Sequence, residues 1–220
     1  MVRRVTRMML SAAVALALAV AMAAPSAGRA QTIVDTWASV PLPPPPTLQP
    51  VAVDSAHTAL LILDVAAVNC VPEKRPECVR SLPHIKQLLD AARAHKMLVV
   101  YSAGVATSTV PPDPAAILAP QPGEPMVRGP VDKFLGTDLD KILTDHAIKS
   151  VIVTGTSSEG AVLYTASGAA LRGMTAIVPL DGASALTPFA DLYTAWHLKN
   201  APVAISSHVV LTRVDMIAMN

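Results

Sequence analysis

Val151-Ile152-Val153-Thr154-Gly155-Thr156-Ser157-Ser158-Glu159-Gly160-Ala161-Val162-Leu163-Tyr164-Thr165-Ala166 is the stretch that decides the fold. Its first four residues are all β-branched, which suits a short strand covered on both faces. Gly155 to Gly160 is a loop of small and hydroxyl-bearing residues. Beyond it, Ala161, Ala166, Gly168, Ala169 and Ala170 give a helix with a small face, able to approach a sheet closely, and Gly173 stops it. Working outward, Thr58–Leu63, Leu98–Tyr101, Ala176–Val178 and Val209–Leu211 are further apolar strand candidates. Helical patterns lie between them. In Ser81–Ala94, residues Leu82, Ile85, Leu88, Leu89 and Ala92 share one face, with Ser81 and Pro83 placed in the first turn. Thr137–Ala147, with Thr137 as cap, and Pro188–Lys199 complete the set. Strands alternating with helices predict an α/β protein with a doubly wound, mainly parallel sheet.

The chain has 220 residues and is 52% hydrophobic, enough for one sizeable core. Residues 1–30 read as a secretory signal peptide: Arg3, Arg4 and Arg7 precede an apolar run from Met8 to Ala24, and Gly28 and Ala30 suit the cleavage site. The alternative is an uncleaved anchor helix. Cleavage before Gln31 would give a periplasmic or secreted protein with no membrane contact. It would also remove four arginines and no acid, turning the formal charge of +1 into about −3, which suggests no nucleic-acid partner. In an oxidising compartment Cys70 and Cys78 are expected to form a disulfide, against the reading of Cys70 as a free nucleophile. Residues 31–50 hold six prolines and read as an arm or linker before a folded domain at 51–220. Gly104–Pro130 holds seven more and reads as a long connection near the functional edge, or a lid.

Ligands of open parallel sheets bind beyond the carboxyl ends of the strands. Asp64, after Leu60-Leu61-Ile62-Leu63, is therefore a candidate site residue, since a carboxylate there must be paired, hydrogen-bonded or wet. The loop at Gly155–Gly160 would aim the amides of Gly160 and Ala161 at the cleft as an anion or oxyanion site. Ser157 and Ser158 are ligand-contact candidates, with helix capping as the plainer role. Asp181, with Gly182 and Ser184, either lines the cleft or shapes its own loop.

Three ordered blocks carry a family resemblance: Ala59-Leu60-Leu61-Ile62-Leu63-Asp64-Val65, Lys133-Phe134-Leu135-Gly136-Thr137-Asp138-Leu139, and the stretch from Val151 to Ala166. Over about residues 55–212 the chain resembles the isochorismatase-like, or cysteine hydrolase, superfamily. The resemblance implies a three-layer α/β/α, Rossmann-like fold around a six-stranded parallel sheet, and a tendency to form homo-oligomers. It implies an aspartate at Asp64, a lysine six residues before Phe134 and a cysteine at position 161. Here the counted position holds Arg128, with Lys133 as a substitute cation, and position 161 is Ala161, whose methyl group cannot form a covalent intermediate.

Two functions follow as expectations. One is a hydrolase of a small molecule without a cysteine nucleophile, with Asp64 as general acid/base and Arg128 and the Gly160 and Ala161 amides holding a substrate carboxylate. The other is a catalytically silent relative that binds a small molecule or serves a structural role in the periplasm. No cofactor is indicated. No two of the six histidines sit at ligand spacing, so no metal site is expected either.

Overall fold

The structure is a computed structural model and describes residues 31–104 and 115–220. The expected signal peptide therefore lies outside the described residues, as does part of the proline-rich connection. Two compact units divide at Pro43 and Pro44. In the first, α1 (Ile33–Thr36) is started by a capping box in which the Thr32 amide donates to the Asp35 carboxylate at 2.8 Å.

In the second unit, β2 (Thr58–Leu63), β3 (Leu98–Gly104), β4 (Met126–Gly129), β5 (Ser150–Thr156), β6 (Thr175–Pro179) and β8 (Val209–Thr212) form a sheet in the order β4-β3-β2-β5-β6-β8. Every neighbouring pair is parallel. A two-residue strand, β7 (Ala183–Ser184), also pairs with β5. Separately, β1 (Val51–Val53) pairs in parallel with β9 (Ile217–Met219).

The two sheet faces carry separate apolar cores. Leu61, Leu63, Val151, Val153 and Val178 pack toward α3 (Leu139–Asp145), α4 (Leu163–Leu171), α5 (Pro188–Asn200) and α6 (Val203–Ser206). Leu60, Ile62, Val99 and Ile152 pack toward α2 (Pro76–Ala94). This two-sided burial explains why β2 is wholly apolar apart from Thr58, with all six residues buried. Each large apolar side chain so placed contributes about 1.5–3 kcal/mol.

Several local expectations are corrected. The helix predicted at Ser81 starts five residues earlier, with Pro76 in its first turn and Pro83 inside. Proline removes one amide donor and its ring crowds the carbonyl four residues back, yet here the helix runs on through it. Thr137 does not occupy the capping position, which is Asp138, although its hydroxyl accepts from the Leu139 amide at 3.1 Å. The long connection contains a strand, β4, at the sheet edge. The small-faced helix is split: Ser158–Val162 is a π-turn with Gly160 out of helical conformation, and α4 follows. Its alanines do meet the sheet, whereas Gly168 faces the loop at Asp132 and Phe134. A Cβ at 168 would lie 2.9 Å from Asp132 Oδ1.

Candidate functional site

The winding of the sheet reverses between β2 and β5, so the crevice to inspect lies beyond their carboxyl ends. The two strands meet there very closely. Gly155 has φ +117, and a Cβ on it would stand 2.1 Å from the Leu63 carbonyl oxygen, so only glycine lets Asp64 and the Thr156–Ser157 turn leave side by side. Asp64 itself adopts φ 55, a left-handed conformation that aspartate tolerates better than most residues.

That turn of backbone presents the Asp64 carboxylate to two donors. Ser102 Oγ, from the adjacent β3, donates to Oδ1 at 2.8 Å, and Lys133 Nζ donates to Oδ2 at 2.8 Å. Lys133 is fully buried and also donates to the Gly129 carbonyl at 3.1 Å. Its backbone amide donates to Thr165 Oγ1 of α4 at 3.2 Å, which fixes the loop after β4 against the helix after β5. An ammonium without water around it needs both an opposite charge and further acceptors, and this arrangement supplies them.

The counting that placed the cation at Arg128 is thereby corrected. Arg128 lies on β4 with its side chain exposed, and it makes no ion pair among the described residues. The chain after Gly129 turns so that Lys133, four residues further on, reaches back to Asp64. Among the described residues a different arginine reaches the crevice. Arg75, just before α2, donates from Nη1 to Thr156 Oγ1 at 3.1 Å. Nothing in its sequence context marked it, because its role depends on where α2 begins.

The remaining candidates separate into two groups. Ala161 is buried and its methyl group belongs to the apolar core on the α4 side. The Gly160 amide does not face an open site: it donates to the Ser157 carbonyl at 3.0 Å, because Gly160 leaves the helical path. Ser158 is buried, and its hydroxyl donates to Asp191 Oδ1 of α5 at 2.6 Å. Ser157 occupies the N-cap position without a side-chain capping bond. Asp181 has its carboxylate engaged by its neighbours. Its carboxylate accepts from the Val214 amide at 2.9 Å and stands 3.7 Å from Arg213 and 3.8 Å from His84, so it shapes the loop after β6.

Both cysteines are bridged, Cys70 to Cys78. The bridge ties the first turn of α2 to the loop that follows Asp64. The site therefore holds a carboxylate fixed by an ammonium and a hydroxyl, and at the end of the neighbouring strand β5 a guanidinium donates to the neutral Thr156. Such a carboxylate can accept a proton from water or a ligand, and the guanidinium can meet an anionic group.

A family model described as the Isochorismatase domain matches residues 58–208. The chain is similar to N-carbamoylsarcosine amidase of an Arthrobacter species, 29% identical over an alignment of 126 residues, with 46% of this chain and 48% of that protein covered. It is also similar to streptothricin hydrolase of Streptomyces noursei, 34% identical over an alignment of 138 residues, with 56% of this chain and 52% of that one covered. The chain thus spans about half the length of the curated relatives it matches. Among solved structures, a cysteine hydrolase from Pseudomonas syringae pv. phaseolicola has the same fold, with a TM-score of 0.66 and 21% identity over 77% of this chain and 94% of that one.

Proposed function

The chain belongs to the isochorismatase family, and from that premise we propose that it is a periplasmic or secreted hydrolase of a small molecule that works without a cysteine nucleophile. The observation that carries this reading is the Asp64–Lys133 pair, a retained proton acceptor at the switch point of the sheet. In the proposed reaction Asp64 takes a proton from water as the water oxygen adds to the substrate's acyl carbon. The same proton then passes to the leaving nitrogen as the carbon–nitrogen bond breaks, so Asp64 ends as it began. Lys133 stays charged throughout and holds the carboxylate in place. Arg75 is the proposed anchor for a substrate carboxylate, the role that Arg128 is too exposed to fill.

Amides come first among substrates, because one relative is named an amidase and the other a hydrolase. The test is a hydrolysis screen of amides, lactams, esters and vinyl ethers with wild type and Asp64→Asn, read by mass spectrometry. We expect turnover by wild type that falls at least about 100-fold in the variant, both assayed at a temperature where circular dichroism shows each protein folded. Turnover that survives Asp64→Asn would overturn the assignment.

A second reading, a silent member that binds a small molecule, is favoured by Ala161. Its methyl group fills the core position where the resemblance implies a thiol, and no other thiol is free. Binding of a substrate-like amide without turnover by either protein would decide for it. The homo-oligomer implied by the resemblance is a further proposal, checked by sedimentation velocity.

A further inference from the structure

A cavity of about 230 Å3 opens between β6, β7, the start of the helix at Ser158 and α5. Pro46, Leu48, Val162, Val178 and Leu192 supply much of its apolar wall. Its polar side is made by Ser158 and Asp191; Thr194 also lines it, but the Thr194 hydroxyl donates to the Ala190 carbonyl at 2.9 Å. Asp64 and Lys133 do not line this cavity, so it is distinct from their pair.

Asp191 is in an unusual position for a half-buried carboxylate. It accepts from the buried Ser158 hydroxyl at 2.6 Å, and among the described residues no cation pairs with it. The charged groups that act on it are acids: Glu159 from the π-turn and Glu77 from α2. One carboxyl oxygen of Glu159 is itself buried without a hydrogen-bond partner among the described residues. Burial first, and these two acids in addition, hold the Asp191 carboxyl above the usual carboxylate range against the bonds from Ser158 and the Ala185 amide. A positive group brought into the cavity would give Asp191 the opposite charge it lacks among the described residues.

We propose that this cavity binds a compact organic amine, its apolar body against Leu48, Val162 and Val178 and its ammonium group donating to Asp191 and to Ser158 Oγ. Ser158 can serve both partners, since its hydroxyl donates to the carboxylate while its lone pairs accept from the ammonium. Size fits as well. A dry cavity of roughly 150 Å3 takes a benzene ring, so this one has room for a ring with a one-carbon amine arm. A neutral ligand of the same shape gains the apolar contacts and lacks the charge-assisted bond.

Benzylamine and benzyl alcohol are the probes, titrated into the wild-type protein by calorimetry and by the methyl signals of Val162, Val178 and Leu192. Benzylamine is expected to bind at millimolar concentration or better, at least about tenfold more tightly than the alcohol, and to shift those methyl signals. Its affinity is expected to rise with pH as Asp191, held above the usual carboxylate range, gives up its proton, which the alcohol's affinity does not do. Asp191→Asn should remove the preference for the amine and leave the alcohol's affinity within about threefold of wild type. Equal affinity of wild type for the two probes, no binding of benzylamine at millimolar concentration, or shifts confined to residues outside the cavity would each overturn the proposal. The two-probe comparison on wild type decides the matter even where a variant folds poorly.

Discussion

Asp64 and Lys133 share one ion pair but stand in unequal surroundings. The lysine side chain is 0% exposed and the aspartate side chain 23%. Removing the acid strands a buried ammonium whose remaining side-chain partner is the Gly129 carbonyl. Removing the lysine leaves a carboxylate that still has Ser102 and some water. A broken buried pair costs about 3–5 kcal/mol when the charge left behind stays dry. Asp64→Ala is therefore expected to lose stability of that order in urea unfolding, and Lys133→Met clearly less, about 1–2 kcal/mol. Equal losses would mean that Lys133 finds other solvation once its partner is gone. The same asymmetry explains what the sequence disclosed. A carboxylate after four apolar strand residues is conspicuous, so Asp64 was legible. A lysine in a loop is not: counting back from Phe134 reached Arg128 because the count presumes a loop of fixed course, and the turn after Gly129 decides which side chain points inward. Asp191 and Ser158 were less legible still as a pair, since they lie 33 residues apart and meet only once α5 is packed.

At the scale of elements, α2 is held at both ends by contacts to loops. At its start, Cys78 in the first turn is bridged to Cys70, while Arg75 reaches across to Thr156. Toward its end, Arg93 grips the Glu124 carboxylate with two bonds of 2.8 Å and donates to the Ala119 carbonyl at 2.9 Å. Burial pushes the Glu124 carboxyl up, but the bonds from Arg93 and the Gln121 amide outweigh it and hold the group below its usual range. The disulfide closes a short loop, for which the chain-entropy model gives about 2.5 kcal/mol. Replacing Cys70 and Cys78 by serine is thus expected to lower the melting temperature by roughly 5–10 °C. It should also reduce turnover by more than heating alone explains, because Arg75 then leaves a looser helix start. A calorimetric scan and an activity series on the double variant check both. Strands were legible here wherever both faces are covered, as in β2 and β5, because an unbroken apolar run is all such a strand can be. β4 escaped notice for the opposite reason. It lies at the edge, alternates exposed and buried residues over four positions and stands between Pro125 and Pro130, so its sequence resembles a loop.

At the scale of the whole unit that begins at Pro44, the proline run does more than its composition implies. A run of prolines is stiff and extended, which led to the reading of residues 31–50 as an arm or linker. Yet Leu48 packs against the apolar core on the α4 side, the Gln49 amide donates to the Leu211 carbonyl at 2.9 Å beside β8, and Pro45 and Pro46 form part of the cavity wall. Stiffness is useful in that position: a segment already extended loses little conformational freedom when it lies along a groove. The consequence can be measured by comparing two shortened chains, one starting at Pro44 and one at Val51. Losing residues 44–50 removes a partly buried leucine and one backbone hydrogen bond, so the shorter chain is expected to be less stable by about 2 kcal/mol in urea unfolding. It should also lose affinity for benzylamine while the Asp64-dependent turnover persists, because the segment walls the cavity at Asp191, which Asp64 and Lys133 do not line. Identical unfolding curves for the two chains would return the segment to the status of a linker, whereas a parallel loss of turnover would mean that the cavity and the Asp64 site act together on one ligand.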